Sequence, residues 1–369
     1  INRKYKEVIE IPVDSTFNSM LATYRSLISD SYSTYNAREK YAMFCDVAYG
    51  LCQMLIAPIE KYLISDKLYI SPGNSMGNIP FEAFLYTKNQ DNDLNYRSLD
   101  YLLRKYDISY VYSATFSKEI FNHKKLTRNR SVAMAPTYNE CQLSDSQLLL
   151  DLPNAREEAM YVSKKTKGDL YLGGSVKESV FKSIADKYEI IHLAMHSLMD
   201  SVRNNSSMIF ACNEYDGDDG RLFSSEIYSM PLNAKMVVLS SCNTGMGKEF
   251  SSEGIVSLAR SFLFAGSQSV VMAMWEVEDK SGTKIVESFY NNLRHYQSKS
   301  SALRNARLEY LENANQSTTP PYYWASLVIY GDIGALYFPT WWIILAIVIL
   351  ALLCFNRYKN QRIQDRSLL

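Results

Sequence analysis

Two side chains with the means to break an acyl bond close apolar runs of the chain. His196 ends Glu189-Ile-Ile-His-Leu-Ala-Met-His196, and Cys242 ends Met236-Val-Val-Leu-Ser-Ser-Cys242. The thiolate is the nucleophilic form of cysteine, and an imidazole can take the thiol proton and later return it to a leaving amine, so the pair suffices for acyl transfer. The two lie 46 positions apart, and only the fold can bring them together. Composition alone favours an inert buried thiol and a structural histidine. Position keeps the catalytic reading open without deciding it, because open parallel sheets collect reactive groups where strands hand over to loops at their carboxyl edges.

Other groups invite smaller claims. His192 precedes His196 by four positions, which in a continuous strand puts both on one face. No acidic or cysteine motif completes a metal set, and a hydrogen-bonded structural histidine is the better account. Gly173-Gly174 and the Gly245, Gly247 pair read as turns, since neither leads into a P-loop Lys-Ser/Thr or forms GxGxxG. Asp216, Asp218 and Asp219 lack the twelve-residue pattern of a calcium loop and read as a solvated connection. Cys45, Cys52, Cys141, Cys212 and Cys354 have no neighbouring base and read as packing or incidental thiols. No metal and no cofactor is expected.

The elements that must position the pair come from periodicity. Residues 14–62 have helical spacing (Ala37, Tyr41, Phe44, Ala48, Leu51, Leu55), interrupted near the end by Pro58. Short β-rich runs then alternate with helical stretches: Lys67–Ser71, Ile108–Ser113, Ser131–Ala135, Glu189–His196, Met208–Cys212, Met236–Ser241 and Ser269–Met274. Runs that are apolar throughout suit strands covered on both faces, so the fold class is α/β with a mainly parallel sheet. Of 369 residues, 47% are hydrophobic and 21% charged, enough to bury a core. Lys+Arg and Asp+Glu are equal at 39 each, which argues against a nucleic-acid partner. The first residue is Ile rather than Met, which reads as a fragment or processed product whose upstream portion is unseen.

Residues 338–355 (FPTWWIILAIVILALLCF) carry no charge and reach the length at which a membrane span is the preferred reading. Trp341 and Trp342 stand at the entry, and Arg357, Lys359, Arg362 and Arg366 follow. A C-terminal transmembrane helix is therefore expected. The basic tail at 356–369 would lie in the cytoplasm and the folded domain outside it, with the opposite, tail-anchored orientation as the alternative.

The text around the pair carries a resemblance. LYISPGNSMGNIPFEAFL at 68–85, IIHLAMHS at 190–197, VVLSSCNTGMG at 237–247 and EGIVSLARSFLFAGSQSVVMAMWEVEDKSGTKIVESFYNNL at 253–293 together resemble the CHAT family of caspase-like, separase-related cysteine peptidases, over roughly residues 40–336. The spacing of the pair also resembles that of caspases. The resemblance implies a three-layer caspase-like peptidase domain at 63–336 behind a helical lead at 1–62, with Cys242 as nucleophile and His196 as general base. It further implies that the backbone N–H groups of Cys242 and Ser197 hold the oxyanion. Such enzymes usually carry Gly where Ser197 stands, so the loop geometry is expected to differ there. The segment Trp275-Glu-Val-Glu-Asp279 resembles the tryptophan motif of separases, which makes Asp279 the specificity candidate, with Glu276 and Glu278 as competitors. A carboxylate at a pocket floor would select Arg or Lys before the scissile bond.

These readings converge on a cysteine endopeptidase acting on proteins or peptides. The resemblance adds upstream helical repeats, such as tetratricopeptide repeats, that bind a regulatory partner. The principal alternative is a catalytically silent, membrane-tethered interaction scaffold. A redox or acyltransferase use of the same thiol would need a resolving cysteine or an acyl-donor site, and no nearby CxxC supplies the former.

Overall fold

The computed structural model describes residues 6–29, 36–73, 76–77, 79–89, 93–122, 130–138, 149–200, 205–211, 219–240, 252–275, 279–338 and 348–354. Eleven strands are present among them: β1 (Lys67–Ile70), β2 (Asp107–Tyr110), β3 (Ser131–Ala135), β4 (Asp169–Leu172), β5 (Ile190–Leu193), β6 (Ser197–Asp200), β7 (Asn205–Ile209), β8 (Arg221–Phe223), β9 (Met236–Leu239), β10 (Ser269–Ala273) and β11 (Leu327–Gly331). Eight of them form one sheet in the order β1-β2-β11-β10-β9-β5-β3-β4. Every neighbouring pair in it is parallel except β10 with β11. The sheet is thus two parallel blocks running in opposite directions, joined at that antiparallel seam.

The central strands earn their place by composition. Each residue of β3, β5, β9, β10 and β11 is buried, so both faces of the sheet are covered, as their unbroken apolar runs require. The outer strands β1 and β4 are partly exposed, which suits edges. The mainly parallel α/β expectation holds. Four strands escaped it: β4, β11, β6 and β8. The run Met208–Cys212 corresponds to β7, which pairs antiparallel with β6 and β8 in a separate three-stranded sheet.

Ahead of the sheet, the helix Ala37–Leu55 opens with a capping box. Asn36 accepts the Glu39 N–H at 3.0 Å while Glu39 accepts the Asn36 N–H at 3.3 Å. It buries Tyr41, Phe44, Cys45, Ala48, Leu51 and Cys52, one face at helical spacing, and the helix Ser15–Ser29 buries Phe17, Leu21 and Tyr24 in the same continuous core. Pro58 falls in the first turn of a new short helix, Ala57–Glu60.

A buried ion pair ties the 68–85 motif to the rest. Glu82 sits in the 3₁₀ turn Phe81–Ala83 and is fully buried; it takes the Arg307 guanidinium at 3.1 Å and the Tyr110 hydroxyl at 2.6 Å. Arg307, on the helix Lys299–Asn313, also donates to the Leu327 carbonyl at 3.2 Å. The three contacts join the motif, β2, the helix and the start of β11, and they give each buried charge its counter-charge.

The C-terminal membrane helix is corrected. Among the described residues no helix is long and apolar enough to cross a membrane. The helical part of 338–355 that is described covers 348–354. The single-pass membrane localisation, and the orientation argued from it, are overturned with it. Residues 339–347 and the tail 356–369 lie outside the described residues.

Candidate active site

Three neighbouring parallel strands end at one edge of the sheet, and the predicted site residues follow them in sequence. β5 and β9 end in register at Leu193 and Leu239, and β10 lies beside β9 in the same direction. His196 follows the end of β5 by three residues, Cys242 follows β9 by three, and Asp279 opens the helix Asp279–Arg294 after β10. Cys242, Glu276 and Glu278 lie outside the described residues, as do Cys141, Cys212, Asp216, Asp218, Gly245 and Gly247.

The chain order puts a topological switch point at this edge. From β3 the chain moves outward to β4, then returns to the other side of β3 to build β5, β9 and β10 in turn. The connections diverge between β3 and β5, and that switch point is where open α/β sheets place ligands. Tyr138, three residues beyond β3, meets His196 there, with ring centroids 4.7 Å apart.

His196 is buried, and its surroundings fix its protonation pattern. Nε2 lies 2.7 Å from the Leu150 carbonyl, which can only accept, so Nε2 carries the proton and Nδ1 is the basic nitrogen of the neutral ring. The backbone N–H of His196 donates to the Tyr138 hydroxyl at 2.9 Å, and that hydroxyl donates to the Ile209 carbonyl at 2.9 Å. Asp151 accepts the Tyr138 N–H at 2.6 Å, which ties Tyr138 to the segment that supplies the Leu150 carbonyl. Burial pushes the Tyr138 phenol well above its usual range, so it remains a donor.

The run Glu189–His196 is not one strand. β5 stops at Leu193, and Ser197 begins β6 in the second sheet. Ser197 stands opposite Met208, and the Ile209 N–H donates to the His196 carbonyl at 2.9 Å. Because N–H directions alternate along a strand, His196 addresses β7 and the Ser197 N–H points to the other side. That side is the outer edge of β6, since the small sheet runs β6-β7-β8.

His192 keeps to the bland account. Its Nε2 lies 2.9 Å from Glu158 Oε1 on the helix Pro153–Thr166, and Tyr290 Oη lies 3.3 Å from its Nδ1. It braces the sheet against two helices. Gly173 turns at φ +62°, in keeping with its reading as a turn. Tyr138 and Leu150 are the partners that sequence reasoning missed; Tyr138 had a faint signal in standing three residues past a strand read as Ser131–Ala135.

With this geometry in hand, comparison with known proteins decides the family. The CHAT domain model matches residues 46–332. The chain belongs to the CHAT-domain family. This CHAT chain is 26% identical to human (Homo sapiens) tetratricopeptide repeat protein 28 over 77% of its own length, and 30% identical to the mouse (Mus musculus) protein of the same name over 30%. It spans 13% and 4% of the length of those relatives. Among solved structures the CHAT domain is similar to Saccharomyces cerevisiae separase in its complex with securin, with TM-score 0.44, 14% identity, and coverage of 87% of this chain and 23% of that one. It is likewise similar to the Arg-specific cysteine proteinase gingipain R, with TM-score 0.46, 7% identity, and coverage of 85% and 73%.

Proposed function

We propose that this CHAT domain is a cysteine endopeptidase of caspase-like type in which Cys242 attacks the scissile carbonyl and His196 is the general base. The observation that supports it best is the His196 ring. It is held at the carboxyl edge of β5 by the Leu150 carbonyl, with its basic nitrogen assigned to Nδ1, next to the strand that leads to Cys242. Nδ1 takes the Cys242 proton, and the sulfur bonds to the carbonyl carbon. The oxyanion is met by the N–H groups of Ser197 and Cys242. Collapse breaks the C–N bond, and the imidazolium gives its proton to the leaving amine. Water, deprotonated by His196, then hydrolyses the thioester.

Asp279 is the proposed selector for Arg or Lys before the scissile bond, in line with the charge-assisted pairing that a pocket carboxylate offers. Membership of the CHAT family, together with relatives named for tetratricopeptide repeats, supports a protein partner bound by repeats that regulate the site.

The test is turnover of a fluorogenic peptide library, varied at the residue before the scissile bond, by the whole chain. Cleavage after Arg or Lys that vanishes in Cys242→Ala and falls at least tenfold in Asp279→Ala, a loss of about 1.4 kcal/mol or more, is the expected result. Cleavage after another residue type keeps the dyad and removes the Asp279 assignment. If no peptide is turned over, labelling of Cys242 by an acylating probe decides: labelling that disappears in His196→Ala keeps the peptidase, and none leaves the scaffold.

A further inference from the structure

Two residues facing each other as a hydrogen-bonded pair in an antiparallel ladder exchange two direct bonds, each N–H to the other's carbonyl. His196 and Ile209 stand one step beyond the Ser197–Met208 pair that opens the β6–β7 ladder, where such a pair would follow, yet only one of the two bonds is direct: the Ile209 N–H reaches the His196 carbonyl at 2.9 Å. The return bond is interrupted. The Tyr138 hydroxyl stands in it, accepting from His196 and donating to Ile209, each at 2.9 Å. An oxygen atom is therefore wedged into the ladder at the junction where the β5 segment ends and β6 begins.

We propose that Tyr138 is a positioning residue for the oxyanion donor, its hydroxyl setting the tilt of the His196–Ser197 peptide and hence the aim of the Ser197 N–H. The inference rests on the peptidase reading above. The hydroxyl holds the Met195–His196 peptide by its N–H while the Ile209 N–H holds the carbonyl of the His196–Ser197 peptide, so the two together fix the backbone on both sides of His196 and with it the aim of the Ser197 N–H. The phenol is suited to the task because it must accept and donate at once, and burial keeps its proton in place. Its own placement is firm. The ring packs on His196, its backbone N–H is held by Asp151, and it is buried with Leu149 and Ile209 in a small cluster of their own. Without the hydroxyl, the His196 N–H and the Ile209 carbonyl close directly on each other, and the Ser197 N–H turns from the line of the developing charge.

An acyl-transfer step needs that donor; alkylation of the same thiolate by iodoacetamide, a displacement at saturated carbon, does not. The test compares wild type and Tyr138→Phe as the whole chain, reading kcat and KM on the best peptide of the library. The pH dependence of Cys242 carbamidomethylation is followed by mass spectrometry in the same samples. The expected result is a kcat lower by about 10- to 100-fold, toward the loss seen when an oxyanion donor is removed. KM and the alkylation profile stay at their wild-type values, and the unchanged alkylation also shows that the site has folded. An unchanged kcat overturns the inference, as does a parallel fall in turnover and alkylation, which marks a structural role alone. A wild-type chain whose acyl transfer is indifferent to Cys242→Ala overturns the peptidase reading itself, a failure distinguishable from that of Tyr138.

Discussion

Cys45 and Cys52 lie two turns apart on the buried face of the helix Ala37–Leu55, and burial pushes their thiols up to about 11 and about 12. Near neutral pH both remain protonated, and a protonated thiol is neither nucleophile nor ligand. Cys354, by contrast, is exposed. Limited treatment of the native chain with iodoacetamide near pH 8 is therefore expected to label Cys354 and spare Cys45 and Cys52, as peptide mass spectrometry would read. Modification of either buried thiol ahead of Cys354 would contradict the packing of this helix. At the same scale, the candidate site was legible in the sequence only in part. His196 and Cys242 stood out by type and by their place after apolar runs. Leu150 enters only through a backbone carbonyl, which its residue type does not advertise. Tyr138 acts from a loop whose meeting with His196 depends on which side of β3 the chain returns to.

At the level of elements, the Glu82 turn makes a sharp prediction. Glu82→Ala leaves the Arg307 guanidinium buried without its counter-charge, a loss of about 3–5 kcal/mol. Glu82→Leu with Arg307→Met removes both charges and is expected to recover most of that loss. Denaturant midpoints of the single and double variants check this, and a double variant no better than the single would show that the pair is not what joins these elements. Strand assignment from sequence succeeded where apolar runs were both continuous and well bounded, as in Ser131–Ala135. It failed for β4, an edge with two exposed residues, basic residues just before it and Gly173-Gly174 just after. It overran at Glu189–His196 because a buried loop and a buried strand share one composition: Ala194, Met195 and His196 are as buried as β5 itself. Periodicity separates a face from a face, and these residues have no exposed face to lose.

Across the whole molecule, burial of acidic protons sets a pH limit. Burial raises the phenols of Tyr24, Tyr101, Tyr110 and Tyr290 well above 10.0, and the Cys45 and Cys52 thiols above 9.0. Each folded value exceeds the unfolded one, so the stability these groups contribute is intact below pH 9 and is lost as the unfolded chain begins to ionise above it. Lys235 and Lys299, lowered from 10.5 by burial, act in the opposite sense but are fewer. The denaturant midpoint is expected to hold level from pH 7 to about 9 and to decline beyond; a level profile through pH 11 would refute this. The antiparallel seam has one more consequence, for the order in which the chain is made. β11 stands between β2 and β10. As the polypeptide leaves the ribosome, β1 and β2 emerge first yet cannot join the block of β3, β4, β5, β9 and β10 until residues 327–331 arrive. Two half-sheets must wait with open edges for a strand more than two hundred residues behind β2, which makes closure a late, long-range step that translation speed and chaperones can govern.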